Sequence, residues 1–164
     1  MFKSIFLPLI AVAAFIVFVG LLSQGKLDFI FKKTSPTIQN QEKVSIGNIE
    51  IKIEVAKTNE ERSKGLSNRT QLDNESGMVF VFEKNSKPVF WMKDTKIPLD
   101  IIWINDNKIV GIEKNVQPEP NTVDSKLTKY QSPSSIDYVL EVNGGFSDKN
   151  NIKIGETISG LEQL

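Results

Sequence analysis

The stretch from Phe90 to Asp100 reads Phe90-Trp91-Met92-Lys93-Asp94-Thr95-Lys96-Ile97-Pro98-Leu99-Asp100. Both of its ends are apolar and continue into further apolar residues, a pattern that is typical of strands buried on both faces. Pro98 suits the first position of a strand, and the polar residues 93–96 between the two runs predict a turn. The stretch therefore predicts a hairpin that feeds a hydrophobic core, with polar residues that are candidates for a binding site.

The N-terminus carries an uncharged segment at residues 5–22. As a helix it would span roughly 27 Å, close to the ~30 Å hydrocarbon core of a bilayer. No small-residue cleavage site follows it, so residues 1–25 are expected to be an uncleaved signal-anchor transmembrane helix, with a cleaved and secreted form as the alternative. Membrane anchoring through residues 5–22 and an extracytoplasmic location for the remaining chain follow from this interpretation.

The rest of the chain divides by composition. Residues 26–43 are polar and include Pro36, which predicts a tether, whereas residues 44–164 are long enough for one globular domain. Beyond position 25 the chain has nineteen basic and twenty acidic residues, a formal charge of −1. A nucleic-acid partner is not expected, because phosphate binding needs a basic surface.

The absence of two residue types restricts the chemistry. The 164 residues include no cysteine and no histidine, so the usual zinc, copper and iron sites and the Ser-His-Asp and Cys-His nucleophile systems are excluded. Met78 and Met92 could be soft copper ligands, but methionines without such neighbours are typical of a core. No metal and no cofactor are expected.

Short elements of the domain are signalled locally. Residues 49–56 alternate apolar and polar side chains as a half-buried strand does, and Gly47-Asn48 suits a hairpin turn before them. Thr58 and Glu61 have the spacing of a capping box that starts a short helix. Seven or eight short strands separated by turns predict a mostly β domain, a small sandwich or jelly-roll-like barrel with one short helix.

The chain resembles the family called domain of unknown function 192. The pattern is strongest in Phe90-Trp91-Met92 and Pro98-Leu99-Asp100, and it departs at Ser67 and Asp94, where the family usually has methionine and asparagine. The resemblance implies a small β domain that often follows a signal or membrane segment, and it implies no particular activity. The other matching positions are Glu54-Val55-Ala56, Glu61-Arg62, Gly65-Leu66, Arg69, Leu72, Gly77 to Phe80, Phe82, Pro118, Ser132-Pro133, Tyr138 to Glu141, Gly145 and Gly155.

The candidate binding residues cluster around the opening stretch. Trp91 could belong to an aromatic platform for a sugar ring or to the core. Asp100 could bind a ligand, cap backbone amides, or pair with Arg69 or Arg62 as a structural ion pair. The polar loop at residues 117–135 is long enough to be a binding loop. The candidates are Arg69, Trp91, Lys93, Asp94, Thr95 and Asp100.

Binding is the expected function, with an envelope polysaccharide, a small anion or an envelope protein as the ligand. One alternative is a carboxylate-dependent hydrolase of cell-wall glycans, which needs two carboxyl groups across a cleft. Another is a purely structural or assembly module. We assign no catalytic residue; the carboxylates that could serve the hydrolase are Glu54, Asp94, Asp100 and Glu141.

Overall fold

The structure is a computed structural model that describes residues 42–164. The predicted membrane segment and most of the predicted tether lie outside the described residues. Within residues 42–164, no helix is long and apolar enough to cross a membrane.

Seven strands form one curled, mixed sheet, and two further short strands pair as a separate ribbon. The seven-strand sheet has the order β6-β5-β8-β3-β2-β1-β9, and the ribbon is β4-β7. The strands are β1 (Lys43–Ile46), β2 (Ile49–Ala56), β3 (Ser76–Ser86), β4 (Val89–Phe90), β5 (Leu99–Asn105), β6 (Lys108–Val116), β7 (Tyr130–Gln131), β8 (Ile136–Asn143) and β9 (Ile158–Ser159). The helices are α1 (Asn59–Lys64), a 3₁₀ turn (Asp124–Lys126) and α2 (Phe146–Lys149).

The sheet curls far enough for its two edge regions to meet at one end. Lys108 at the start of β6 forms a bridge with Thr157, next to β9. The N–H of Ile158 also donates to the carbonyl of Asn107 at 2.8 Å. The result is a half-barrel that is joined along only part of its open side.

Each face of the central strands carries its own apolar cluster, because successive side chains of a strand point to opposite faces. On β5, Ile102 and Ile104 belong to one cluster, which α2 and β9 cover. Ile101 and Trp103 belong to the other, which the chain after α1 and residues 90–97 cover. Burial on both faces explains why residues 101–104 of β5 are all apolar.

The prediction of a mostly β domain is confirmed, and its details differ. One sheet forms instead of two packed sheets, because helices and loops cover the face that a second sheet would occupy in a sandwich. Residues 42–164 include two short α-helices, where one was predicted. The sheet also includes a parallel pair, β2 with β3, for which α1 lies in the crossover connection.

Two local predictions are confirmed. Gly47-Asn48 forms the turn between β1 and β2. Thr58 is the N-cap of α1 and forms the capping box with Glu61. The turn between β5 and β6 is formed by Asp106 and Asn107, both with positive φ.

The predicted hairpin of the opening stretch is wrong. β4 pairs with β7, whereas β5 pairs with β6 and β8, so the two strands are not partners. The run before the turn is also not buried on both faces, since Met92 is buried whereas Trp91 is 49% exposed. Residues 91–98 are an irregular segment that crosses the second cluster, and the partners of β4 and β5 come from distant parts of the chain.

Candidate functional site

A cavity of about 290 Å³ opens between α1, residues 88–95 and the central strands. We call it the Glu141 cavity, after the only acidic residue among those that line it. The lining residues are Asn59, Arg62, Ser63, Lys64, Gly65, Leu66, Ser67, Phe80, Phe82, Pro88, Val89, Phe90, Trp91, Lys93, Thr95 and Glu141.

Glu141 lies in the middle of the sheet. It belongs to β8 and is paired with Met78 of β3 and Ile101 of β5, both members of the second apolar cluster. Only 6% of Glu141 is exposed, and no group of residues 42–164 donates a hydrogen bond to its carboxyl. Burial raises the pKa of Glu141 to about 8. At neutral pH the carboxyl group is therefore mostly protonated, and it can donate one hydrogen bond into the cavity.

Aromatic side chains form one wall of the cavity. The ring of Phe90 packs edge-to-face against Phe80 at 5.1 Å, Trp103 at 5.4 Å and Phe82 at 6.1 Å between ring centroids. Such pairs add to the stability that area burial provides. The next residue, Trp91, is 49% exposed although it also lines the cavity. The cavity thus has a rigid aromatic base beside one accessible indole ring.

Three cationic side chains line the same cavity, and Arg62 forms the most hydrogen bonds among them. Its guanidinium donates to the carbonyl of Val81 at 2.9 Å, to the side chain of Asn59 at 2.5 Å and to the carbonyl of Lys57. Its central carbon also lies 5.2 Å from the centroid of the Phe82 ring, a cation–π contact. All of these hydrogen-bond partners are uncharged. The nearby Glu61 carboxylate accepts the N–H groups of Lys57 and Thr58 and forms no ion pair with Arg62.

The other two cations are lysines. Lys93 pairs with Asp124 of the 3₁₀ turn at 2.5 Å, and this hydrogen bond raises the pKa of Lys93. The pair connects residues 91–98 to the loop at 117–135, and both regions were predicted to contribute to a binding site. Lys64, at the end of α1, forms no ion pair within residues 42–164.

The local sequence of α1 fixes this side of the cavity. The N–H of Thr58 donates to the Glu61 carboxylate at 2.9 Å, and the N–H of Glu61 donates to the Thr58 hydroxyl at 3.2 Å. The helix stops at Gly65, where φ is 44°. A side chain there would meet the Phe80 ring at 3.2 Å, so glycine lets α1 lie close to the aromatic wall.

The structure brings half of the predicted binding residues together. Trp91, Lys93 and Thr95 line the Glu141 cavity. Asp94 is exposed and is absent from the lining; its φ of 55° suits aspartate or asparagine, which explains why either residue fits this turn.

The proposed ion pair between Asp100 and Arg69 is wrong. Asp100 has no exposed surface, and its carboxylate accepts hydrogen bonds from the backbone N–H groups of Asn115 at 2.7 Å, Gly145 at 2.8 Å and Ser147 at 2.7 Å. This is the amide-capping alternative. A carboxylate inside the fold needs such donors, and here backbone groups supply them.

Arg69 pairs with a different carboxylate. Its two terminal nitrogens contact the two oxygens of Glu54 at 2.6 and 2.5 Å, and the hydrogen bonds from Arg69 lower the pKa of Glu54. The pair lines a second, smaller cavity of about 240 Å³. Both terminal nitrogens of Arg69 are engaged by Glu54, and an anionic ligand of Arg69 would need the same two nitrogens.

The carboxylates that a hydrolase would need are dispersed. Glu54 is held by Arg69, Asp100 is held by backbone amides, and Asp94 is not among the residues that line the Glu141 cavity. The cavity therefore has one carboxyl group rather than a pair. Within residues 42–164 no three acidic side chains come together as metal ligands.

Glu141, Arg62 and Lys64 were not among the predicted binding residues. Glu141 had a recognisable signal, because a glutamate inside the apolar run Tyr138-Val139-Leu140-Glu141-Val142 must be either paired or neutral. The positions of Arg62 and Lys64 had no such signal. The crossover between β2 and β3 places α1 beside residues 88–95, and the sequence does not show that contact.

These features define a class of protein: a mostly β half-barrel with a small ligand-sized cavity on one face. The chain belongs to the DUF192 family, described as "Uncharacterized ACR, COG1430", whose family model matches residues 41–160.

Two solved structures are similar to the chain. One is a protein of unknown function from Novosphingobium aromaticivorans, with 33% identity, a TM-score of 0.64, and coverage of 71% of this chain and 83% of that one. The other, from Sinorhizobium meliloti, is described as a proposed transcription regulator; it has 30% identity, a TM-score of 0.61, and coverage of 68% and 82%. No curated protein matches the chain at a significant level.

Proposed function

We propose that this protein is a membrane-anchored, extracytoplasmic binding module that holds a saccharide unit of an envelope polysaccharide in the Glu141 cavity. The observation that carries the proposal is the buried, unpartnered Glu141 carboxyl in a cavity that Trp91 also lines. A sugar ring offers an apolar face for an indole to pack on, and hydroxyl groups that accept a hydrogen bond from a neutral carboxyl.

The size of the cavity fits this ligand. Its volume of about 290 Å³ lies just below the range of roughly 300–1,000 Å³ that is typical of small-molecule sites. One sugar ring is a suitable occupant, with the chain continuing outward past Trp91. Binding is favoured over glycan hydrolysis because the cavity supplies one carboxyl group where hydrolysis requires two.

The proposed location rests on the sequence of the N-terminal segment. Residues 5–22 would anchor the chain, and residues 26–43 would tether the domain near the polysaccharide. Added protease should then cleave the domain in cells whose outer barrier is permeable to the protease. Protection that persists until the anchoring membrane is lysed would exclude the extracytoplasmic assignment.

Ligand binding can be tested with the full chain in mild detergent, by titration calorimetry against oligosaccharides prepared from the envelope. We expect Trp91→Ala to weaken binding by about tenfold or more, because a stacked ring is lost. Glu141→Leu removes the buried donor and should weaken binding similarly. Val123→Ala is the matched control, since Val123 is 58% exposed and lies outside the cavity. Equal affinities for the wild type and for both cavity variants would refute the assignment of the site.

A further inference from the structure

The charges that line the Glu141 cavity do not balance. The lining includes three cationic side chains, of which one has a carboxylate partner. That partner is Asp124, which forms an exposed ion pair with Lys93. Arg62 donates only to uncharged groups, and the nearby Glu61 carboxylate is engaged by the N–H groups of Lys57 and Thr58. Lys64 forms no ion pair in the part of the chain that the structure describes, and the carboxylate that it attracts, Glu54, is held by Arg69. The single acidic group in the lining, Glu141, is neutral at pH 7 because of its burial.

The neutral carboxyl and the cations are separated within the cavity. Burial raises the pKa of Glu141, and within residues 42–164 its carboxyl forms no salt bridge with a lysine or an arginine. Lys64 and Lys93 are exposed, whereas Glu141 is buried. The cavity therefore offers an uncharged hydrogen-bond donor at its buried part and positive charge at its exposed part.

We propose that the saccharide unit in the Glu141 cavity is acidic, with a hydroxyl or carbonyl oxygen facing Glu141 and an anionic group facing Lys64 and Arg62. This inference rests on the proposed saccharide-binding function and narrows its ligand class. A neutral sugar would leave Lys64 and Arg62, which we call the cationic rim, without a direct ion pair. An anionic group would instead form charge-assisted hydrogen bonds with them, which are stronger than neutral ones.

Matched pairs of sugars test this directly with the full chain in mild detergent. The pairs are glucose with glucuronate and galactose with galacturonate, in which a carboxylate replaces a hydroxymethyl group, and N-acetylglucosamine with N-acetylmuramate, which adds a lactyl ether that carries a carboxylate. In at least one pair, we expect the acidic member to bind about tenfold more tightly. Added salt should reduce that preference, because the cations are exposed. Glucose 6-phosphate distinguishes a phosphate-bearing ligand from a carboxylate-bearing one.

The preference must also depend on Lys64. In Lys64→Gln it should fall several-fold, and Lys64→Arg should restore it. Lys153→Gln makes the same change of charge at an exposed site outside the cavity, and it should leave the preference unchanged.

The outcomes separate the two proposals. Equal affinity within every pair overturns the acidic ligand and leaves saccharide binding standing. An acidic preference that persists in Lys64→Gln overturns the role of the cationic rim. Failure of the wild type to bind any of these sugars or the envelope oligosaccharides overturns both proposals.

Discussion

The carboxylate of Asp100 accepts a hydrogen bond from the backbone N–H of Ser147 at 2.7 Å, which ties β5 to the first turn of α2. The same carboxylate accepts hydrogen bonds from the N–H of Asn115, near the end of β6, and from the N–H of Gly145, just before α2. One buried side chain thus holds together three segments that are distant in sequence. The Pro-Leu-Asp part of the opening stretch is explained by this structural role.

We expect Asp100→Asn to destabilise the domain by about 2–3 kcal/mol. The amide keeps one acceptor oxygen and turns an NH₂ group toward an N–H donor, so at least one charge-assisted hydrogen bond is lost inside the fold. Urea unfolding of residues 42–164, followed by tryptophan fluorescence, measures the change.

Asp148→Asn is the matched control for that substitution. Asp148 forms an exposed ion pair with Lys114 at 2.5 Å, and such pairs contribute only ~0–1 kcal/mol. An unfolding midpoint for Asp100→Asn equal to that of Asp148→Asn would contradict the structural role of Asp100.

Gly65→Ala should cost about 1–3 kcal/mol, because its φ of 44° and ψ of −135° lie in a region that other residues rarely adopt. The added methyl group would also press on Phe80 at 3.2 Å. Gly47→Ala separates the two effects, since its φ is also positive but no atom lies within 4 Å of the added carbon. Thermal unfolding that is less affected by Gly65→Ala than by Gly47→Ala would exclude the packing contribution of Phe80.

The parts of the fold that the sequence predicted well depend on neighbouring residues. The capping box of Thr58 and Glu61 and the turn at Gly47-Asn48 each need only a few consecutive side chains. The prediction of a hairpin at residues 90–100 was wrong because β4 pairs with Tyr130–Gln131, some forty residues later in the sequence. Strand pairing over such separations depends on how the whole sheet closes, which local patterns do not encode.

The candidate site was predictable only in part, for the same reason. Trp91, Lys93 and Thr95 were identifiable because they belong to one unusual stretch. The partner of Arg69 was missed, although the alternation of β2 placed Glu54 on its polar side. The sequence does not show that backbone N–H groups of β6 and of the start of α2 already donate to the Asp100 carboxylate. Without that information, Asp100 and Glu54 were equally plausible partners for Arg69.

Glu141 should make the domain less stable as pH rises from about 4.5 to 8. Its pKa is about 8 in the folded state and near 4.5 in the unfolded state, so the folded state binds more protons across this interval. The contribution of the neutral carboxyl to the free energy of unfolding is fully present below pH 4.5 and is lost progressively as pH rises toward 8. Between pH 4.5 and pH 7 the loss is about 3 kcal/mol.

Glu141→Gln isolates this contribution, because glutamine has the same shape and does not titrate. We expect the variant to be more stable than the wild type at pH 7 by a few kcal/mol and nearly equal to it at pH 4.5. Urea unfolding of residues 42–164 at several pH values measures the difference. A difference that does not change with pH would mean that the folded domain does not hold Glu141 in its neutral form.

The affinity for an acidic sugar should fall as pH rises through about 8. Ionisation of Glu141 removes the donor from the cavity and adds a negative charge near the anionic ligand. Met78 and Ile101 beside it are uncharged, and Glu141 is the one acidic residue that lines the cavity. Its ionisation is therefore the expected source of this pH dependence.

Glu141→Gln should bind the acidic sugar with an affinity that stays nearly constant over this pH range, since its amide remains a neutral donor. Titration calorimetry at pH 6, 7, 8 and 9 compares the two proteins with the same ligand. A parallel decline in both would assign the pH dependence to the cationic rim or to the ligand. A decline in the wild type alone would mean that the acidic ligand requires the neutral carboxyl of Glu141, because the substitution changes the titration of that one group and keeps the shape of the cavity.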